Sequence, residues 1–207
     1  MSRLYLLPVF LLAFSTHIVL SQEKTDGSLQ DNALASSRQF KYRLLATSKT
    51  STMQKEMGEA GEAGFRFAGV MGGDTAFGGS EVVVVMSKDR ENQNQGHYQY
   101  KLLATSKTST MQKELQEAGD EGFEYRDQTV FKTRFGGQEV VIILERDRNK
   151  PSSHYEYKLL ATSKTSTMQK ELSEAGDTGF EFVGLTVSKT RFGGAELVSI
   201  LRKRLDR

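Results

Sequence analysis

The stretch Leu44-Leu45-Ala46-Thr47-Ser48-Lys49-Thr50-Ser51-Thr52-Met53-Gln54-Lys55-Glu56 occurs three times without change, again at 102–114 and at 159–171. Looser likeness extends to both sides. Phe40-Lys41-Tyr42, Tyr98-Gln99-Tyr100 and Tyr155-Glu156-Tyr157 precede it, Gly64-Phe65, Gly122-Phe123 and Gly179-Phe180 follow, and Phe77-Gly78-Gly79, Phe135-Gly136-Gly137 and Phe192-Gly193-Gly194 close each copy. The copies are offset by 58 and then 57 residues, constantly within each copy, so the one-residue difference falls in a linker. Self-similarity at such a period marks a repeat architecture, in which one supersecondary unit is stacked on its neighbours. The repeats span 40–90, 98–148 and 155–204, and the polar segments 91–97 and 149–154, bearing Gly96 and Pro151, connect them.

Inside a copy the hydrophobic period changes twice. Tyr98, Tyr100, Leu102 and Ala104 alternate with Gln99, Lys101, Leu103 and Thr105, the pattern of a strand with one buried face. Ser109, followed three residues later by Gln112, reads as a capping box and places a helix start there. Met111, Leu115 and Ala118 then share one helical face, while Lys113, Glu114 and Glu117 face water. Gly119 is expected as a left-handed cap, with Gly122 allowing the return. A second strand starts at Phe123, Arg134-Phe135-Gly136-Gly137 reads as a hairpin turn, and the third strand carries Val140-Val141-Ile142-Ile143-Leu144, matched by Val82-Val83-Val84-Val85-Met86.

Unbroken β-branched runs call for cover on both faces, and one short helix covers only one. A unit of about 50 residues is also near the lower limit for an independent core. The expected fold is therefore α+β, three tandem β-α-β-β repeats, each a three-stranded sheet with one short helix, packed together into one body.

The N-terminus opens with Arg3, an apolar run from Leu4 to Phe14 broken by Pro8, and a small residue at Ser21. That is the form of a secretory signal peptide over 1–21, and it predicts export to a periplasm or the extracellular space. A retained anchor is the alternative, but the run falls short of the roughly 20 residues of a spanning helix and carries Pro8 and His17. Residues 22–39, polar and poor in large apolar side chains, are expected to form a disordered lead. The chain has no cysteine, which excludes disulfides, thiolate metal sites and cysteine nucleophiles. With 28 Lys and Arg against 26 Asp and Glu, interspersed, there is no electrostatic case for nucleic acid. Arg202-Lys203-Arg204 is the one basic run, and a solvated strand end accounts for it.

Tyr155-Glu156-Tyr157-Lys158-Leu159-Leu160, a short helix, Ala175-Gly176-Asp177-Thr178-Gly179-Phe180-Glu181, a Gly-rich hairpin and a Val/Ile strand together resemble the small bacterial domain of unknown function 4177. The resemblance covers all three copies. Phe65, Phe123 and Phe180 stand where that family has Trp, and Arg66 where it has Glu. It implies a fold and no activity.

The place where function is expected is the loop before each helix, unchanged while its surroundings have drifted. Ser48, Lys49, Thr50 and Ser51, with Ser106, Lys107, Thr108 and Ser109, and Ser163, Lys164, Thr165 and Ser166, are the candidate ligand-binding residues. Helix N-terminal N–H groups attract anions, and a lysine with hydroxyls would complete a cradle for a small anionic ligand. Helix capping after a recent duplication is the competing explanation. A Ser48-Lys49 hydrolase is disfavoured, since sequence neighbours on extended chain point to opposite faces. His97 and His154 occupy matching positions and would form a metal site only if the repeats closed around an axis. Lys132-Thr133-Arg134-Phe135 and Lys189-Thr190-Arg191-Phe192, set against Asp74-Thr75-Ala76-Phe77, offer a basic turn to an acidic partner or serve only solubility. No catalytic residue, metal or cofactor is expected. The functional expectation is a non-enzymatic exported binding or protein-interaction module, with an anion or small polar ligand binder as the alternative.

Overall fold

The computed structural model describes residues 39–74, 80–91, 96–132, 138–189 and 195–205. In order these form β1 (Phe40–Thr47), α1 (Thr50–Glu62), β2 (Arg66–Asp74), β3 (Ser80–Asp89), β4 (Tyr98–Thr105), α2 (Thr108–Asp120), β5 (Glu124–Lys132), β6 (Gln138–Asp147), β7 (His154–Thr162), α3 (Thr165–Asp177), β8 (Glu181–Lys189) and β9 (Ala195–Leu205). Each repeat is a three-stranded sheet with its third, most apolar strand in the middle, in the orders β1-β3-β2, β4-β6-β5 and β7-β9-β8. All pairings are antiparallel, because the third strand of each repeat lies between the first two. The expected leader over 1–21, the lead except for Gln39, and the three hairpin turns lie outside the described residues. Among those described, no helix is long and apolar enough to cross a membrane.

The helices begin and end differently from the sequence expectation. Helix α2 starts at Thr108 with Lys107 as its extended N-cap, and no side chain caps it. The capping box does not form because Ser109 lies inside the first turn and not at the N-cap, and α3 lacks a side-chain cap in the same way; Gln112 is engaged elsewhere. Its amide donates to the Tyr157 carbonyl at 2.8 Å and accepts from the Leu159 N–H at 2.7 Å, both on the next repeat. Gln54 does the same to Tyr100 and Leu102 of β4, at 2.7 Å each. These amides satisfy the open edge of the neighbouring sheet's first strand, which would otherwise invite pairing with another chain.

At the other end the left-handed residue is Gly122, at φ 84°, and not Gly119; Gly64 and Gly179 match it at 80° and 86°. Phe123 N–H reaches the Ala118 carbonyl at 2.9 Å and Gly122 N–H the Gly119 carbonyl at 3.0 Å, the paired bonds of a Schellman turn. Gly119 stays helical, and its missing Cβ serves packing: a side chain there would run into the Tyr155 backbone carbonyl, as one at Gly61 would run into that of Tyr98.

Helices α1 and α2 thus lie against their own sheets and against the first strand of the next, while α3 packs on its own sheet alone among the described residues. On the opposite side the sheets meet directly, where Gly72 N–H donates to Thr129 Oγ1 at 2.7 Å. The core between repeats 1 and 2 joins Met53, Met57, Val84 and Met86 to Tyr100, Val141 and Ile143. The core between repeats 2 and 3 joins Met111, Leu115, Ile142 and Leu144 to Tyr155, Tyr157, Val198 and Ile200. Burying each such side chain contributes about 1.5–3 kcal/mol, so hydrophobic contact between repeats holds the stack together.

Strand β6 is covered on both faces, buried without a break from Val140 to Glu145. The same expectation fails for β3. Val82, Val84 and Met86 are buried there, but Val83 and Val85 only partly, because among the described residues nothing lies on the outer face of the first sheet.

Candidate functional site

The loops singled out in the sequence form the bend between each repeat's first strand and its helix. Thr47 Oγ1 accepts from Lys49 N–H at 3.1 Å, Thr105 from Lys107 at 3.1 Å, and Thr162 from Lys164 at 3.2 Å, so one hydroxyl per loop closes the bend. Ser48, Lys49 and Ser51 are exposed, as are Ser106, Lys107 and Ser109, and all of Ser163, Lys164, Thr165 and Ser166; Thr50 and Thr108 are half-buried. A pocket at the second loop is lined by Thr105, Ser106, Thr108, Glu139 and Val198 and holds about 10 Å³, room for one water at most. It takes no residue from the other two loops.

The matched histidines sit at the C-terminal end of the preceding helix. His97 Nδ1 lies 3.6 Å from a Glu62 carboxylate oxygen, and His154 Nδ1 lies 2.8 Å from the Asp120 carbonyl. Among the described residues no three His, Asp or Glu side chains are grouped as a metal would need. Glu59, Glu117 and Glu174 pair with Lys55, Lys113 and Lys170 one turn back, at 3.9, 3.7 and 3.7 Å on wet helix faces. Such pairs are worth a few tenths of a kcal/mol.

Two constellations escaped sequence reasoning. The first is a ladder of alternating charge through all three repeats. Arg66 meets Glu145 at 3.0 Å, Glu145 meets Arg126 at 2.6 Å, Arg126 meets Glu124 at 3.3 Å, Glu124 meets Arg202 at 2.6 Å, and Arg202 meets Glu181 at 3.6 Å. Glu145 is 1% exposed and also accepts from the Tyr100 hydroxyl at 3.0 Å. Burial works against the Arg66 cation, but the Glu145 carboxylate outweighs it and holds the guanidinium above its usual pKa.

Tyr100 and Tyr157 also bind backbone across the repeats. Tyr100 Oη accepts from Phe67 N–H at 2.8 Å, and Tyr157 Oη accepts from Tyr125 N–H at 2.6 Å and donates to the Phe123 carbonyl at 3.0 Å. Burial, chiefly, raises the phenols of Tyr100, Tyr125 and Tyr157 far above the ordinary tyrosine range.

The second constellation is the pair of end faces. Cross-strand partners share a face, so Leu44, Val85 and Gly69 lie with Ala46, Val83 and Met71 on the outer side of the first sheet. Tyr42 is 68% exposed there, whereas its counterparts Tyr100 and Tyr157 are 5% and 2% exposed. At the far end Phe182, Leu185 and Val187 of β8 are all more than half exposed. Every large exposed apolar residue among those described, these with Phe40, Leu44, Met71 and Leu205, belongs to the first or the last repeat.

No family model, curated protein or solved structure matches the chain.

The ladder was open to detection in one respect: Arg66, Glu124 and Glu181 are matched positions, as are Ser87, Glu145 and Arg202; the first changes sign once and the second differs in every copy. Variation at two matched positions inside otherwise similar units is the trace that adjacent repeats leave when they pair with each other.

The phenols lead to a pH prediction. A tyrosine whose pKa is raised by folding holds its proton more tightly in the folded chain. Its contribution is complete below the unfolded value of about 10 and is lost as pH rises from there towards the folded value. Stability is expected to fall above pH ~10 by up to about 1.4 kcal/mol per pH unit for each of the three phenols. Denaturant titrations between neutral and alkaline pH check this, and Tyr100→Phe should give a shallower alkaline decline than the parent protein.

Proposed function

We propose that this protein is an exported, non-catalytic interaction module, built on a fold like that of domain 4177, which acts through the faces at the two ends of its repeat stack. Export rests on the leader-like N-terminus. The observation that carries the interaction role is the confinement of large exposed apolar side chains, among the described residues, to the two end repeats, with Tyr42 68% exposed where its counterparts Tyr100 and Tyr157 are buried. A repeat protein that ends its stack alone needs polar outer faces for solubility. Here the outer sheet face keeps Tyr42, Leu44 and Met71, each about two-thirds exposed. Contiguous apolar surface of this kind marks a contact site.

The test is photo-crosslinking in the exporting cell, with the crosslinking amino acid placed in turn at positions 42, 187 and 113. Lys113 is the control, being 77% exposed on the wet face of α2. Protein adducts are expected from the two end positions and not from the control. Absence of adducts from both ends, or equal adducts from all three, overturns the reading.

A further inference from the structure

The two open ends are the halves of an interface that the chain already builds twice. Helices α2 and α3 differ at a single position, Gln116 against Ser173. Yet Gly119 is pressed against the Tyr155 carbonyl, while Gly176 has nothing within 4 Å of where a Cβ would stand. Gln112 bridges the edge of the next sheet, whereas Gln169, among the described residues, reaches only Ser173 Oγ of its own helix, at 3.4 Å. Phe67 and Tyr125 each give their N–H to a tyrosine hydroxyl of the following repeat, and the matching Phe182 has no such partner among the described residues.

The first sheet holds the complementary set. β1 is an edge strand, so Tyr42 and Leu44 stand where Tyr100 and Leu102 receive Gln54. Tyr42 occupies the place of the two bridging phenols. Leu44 and Met71 face outward, as Leu185 and Val187 do at the other end. One ion pair can recur as well: Glu62 pairs with Arg148 at 2.9 Å between repeats 1 and 2, and the matched residues at the ends are Asp177 and Arg90. The middle repeat lies between the two faces, and the exposure of both shows that neither covers the other within one chain.

We propose that copies of this protein associate head to tail, with α3 and β8 of one copy seated on the β1-β3-β2 face of the next, continuing the internal stack across the chain boundary. This rests on the interaction role proposed above and names the partner as a second copy. Such a contact joins two different surfaces, so it propagates into a filament or closes as a ring.

Sedimentation of the purified protein over a wide concentration range tests it. The average mass of the parent should rise with concentration. Gly176→Ala should leave the monomer folded, raise its melting temperature, and weaken association about 100-fold, because the added methyl would meet the next copy's backbone as it would at Gly119. Leu44→Lys, at a position 67% exposed, should also remain folded and fail to associate by blocking the other face. An equimolar mixture of the two variants, each with one intact end, should form a one-to-one dimer and nothing larger. A parent that stays monomeric at every concentration, as when residues 22–39 cover the first sheet, overturns the proposal. Association unaffected by either variant, or a mixture that yields no dimer, overturns it too. Crosslinks at positions 42 and 187 to a different protein alone would overturn self-association while leaving the interaction role standing.

Discussion

Gly119→Ala is expected to lower the stability of the protein by about 3 kcal/mol, while Gly176→Ala, the same change at the same place in a nearly identical helix, raises it by about 1 kcal/mol. In a free helix alanine is favoured over glycine, whose backbone loses more freedom on ordering. That gain is available at Gly176, where the side of the helix is open. At Gly119 a Cβ would overlap the Tyr155 carbonyl and lie 2.9 Å from Tyr157 Cδ2. A carbonyl in a strand cannot rotate aside as a flexible side chain can, so α2 would have to lift from β7. The lift would loosen the Gln112 amide from Tyr157 and Leu159 as well. Urea denaturation of the two variants reads the difference as opposite shifts of the midpoint at unchanged slope. Equal effects of the same sign would show that the close approach of helix and strand is not what holds Gly119 in place. The comparison is best made at low protein concentration, where association through the ends is weakest.

Glu145→Ala is expected to cost about 3 kcal/mol, because it removes the buried carboxylate on which two arginines and a tyrosine hydroxyl converge. Arg126 and Arg66 lose a partner at 2.6 and 3.0 Å, and the Tyr100 hydroxyl loses its acceptor. The cost is larger than for an exposed pair since the carboxylate is 1% exposed and water cannot take its place. Arg66→Ala should cost about 1 kcal/mol, as that side chain is 45% exposed and Glu145 keeps Arg126. The corresponding fall in melting temperature for Glu145→Ala is about 10 °C for a chain of this size. A change no larger than that of Arg66→Ala would show that the cluster contributes pairing geometry but little stability.

Much of the fold was legible because its signals are local. Met111, Leu115 and Ala118 share a helix face by spacing alone, and the structure buries all three. The unbroken run at 140–144 required cover on two sides, and β6 has it. At the helix ends, where the reading failed, the residue with a respectable local role is held in α2 by a longer-range contact. Ser109 and Gln112 have the spacing of a capping box, but Gln112 completes a strand edge 45 residues away. Gly119 sits at the end of a helix as a cap would, and was selected instead by the approach of β7. The candidate loops were found by their identity across copies, yet identity reports a shared local bend just as well, and the Thr to Lys bonds supply that bend three times. The end faces could not be read at all. Tyr42, Tyr100 and Tyr157 lie in closely similar local sequence.

By itself the sequence determined the number of units and their strand and helix periods, because each of these depends on residues close along the chain. Only the tertiary structure decided which copy of a repeated residue is buried. A period of two or of 3.6 assigns a side chain to a face; what covers that face is a property of the neighbouring repeat. For Tyr100 and Tyr157 the cover is the preceding helix and sheet, and for Tyr42 it is, on the proposal made above, another copy of the chain.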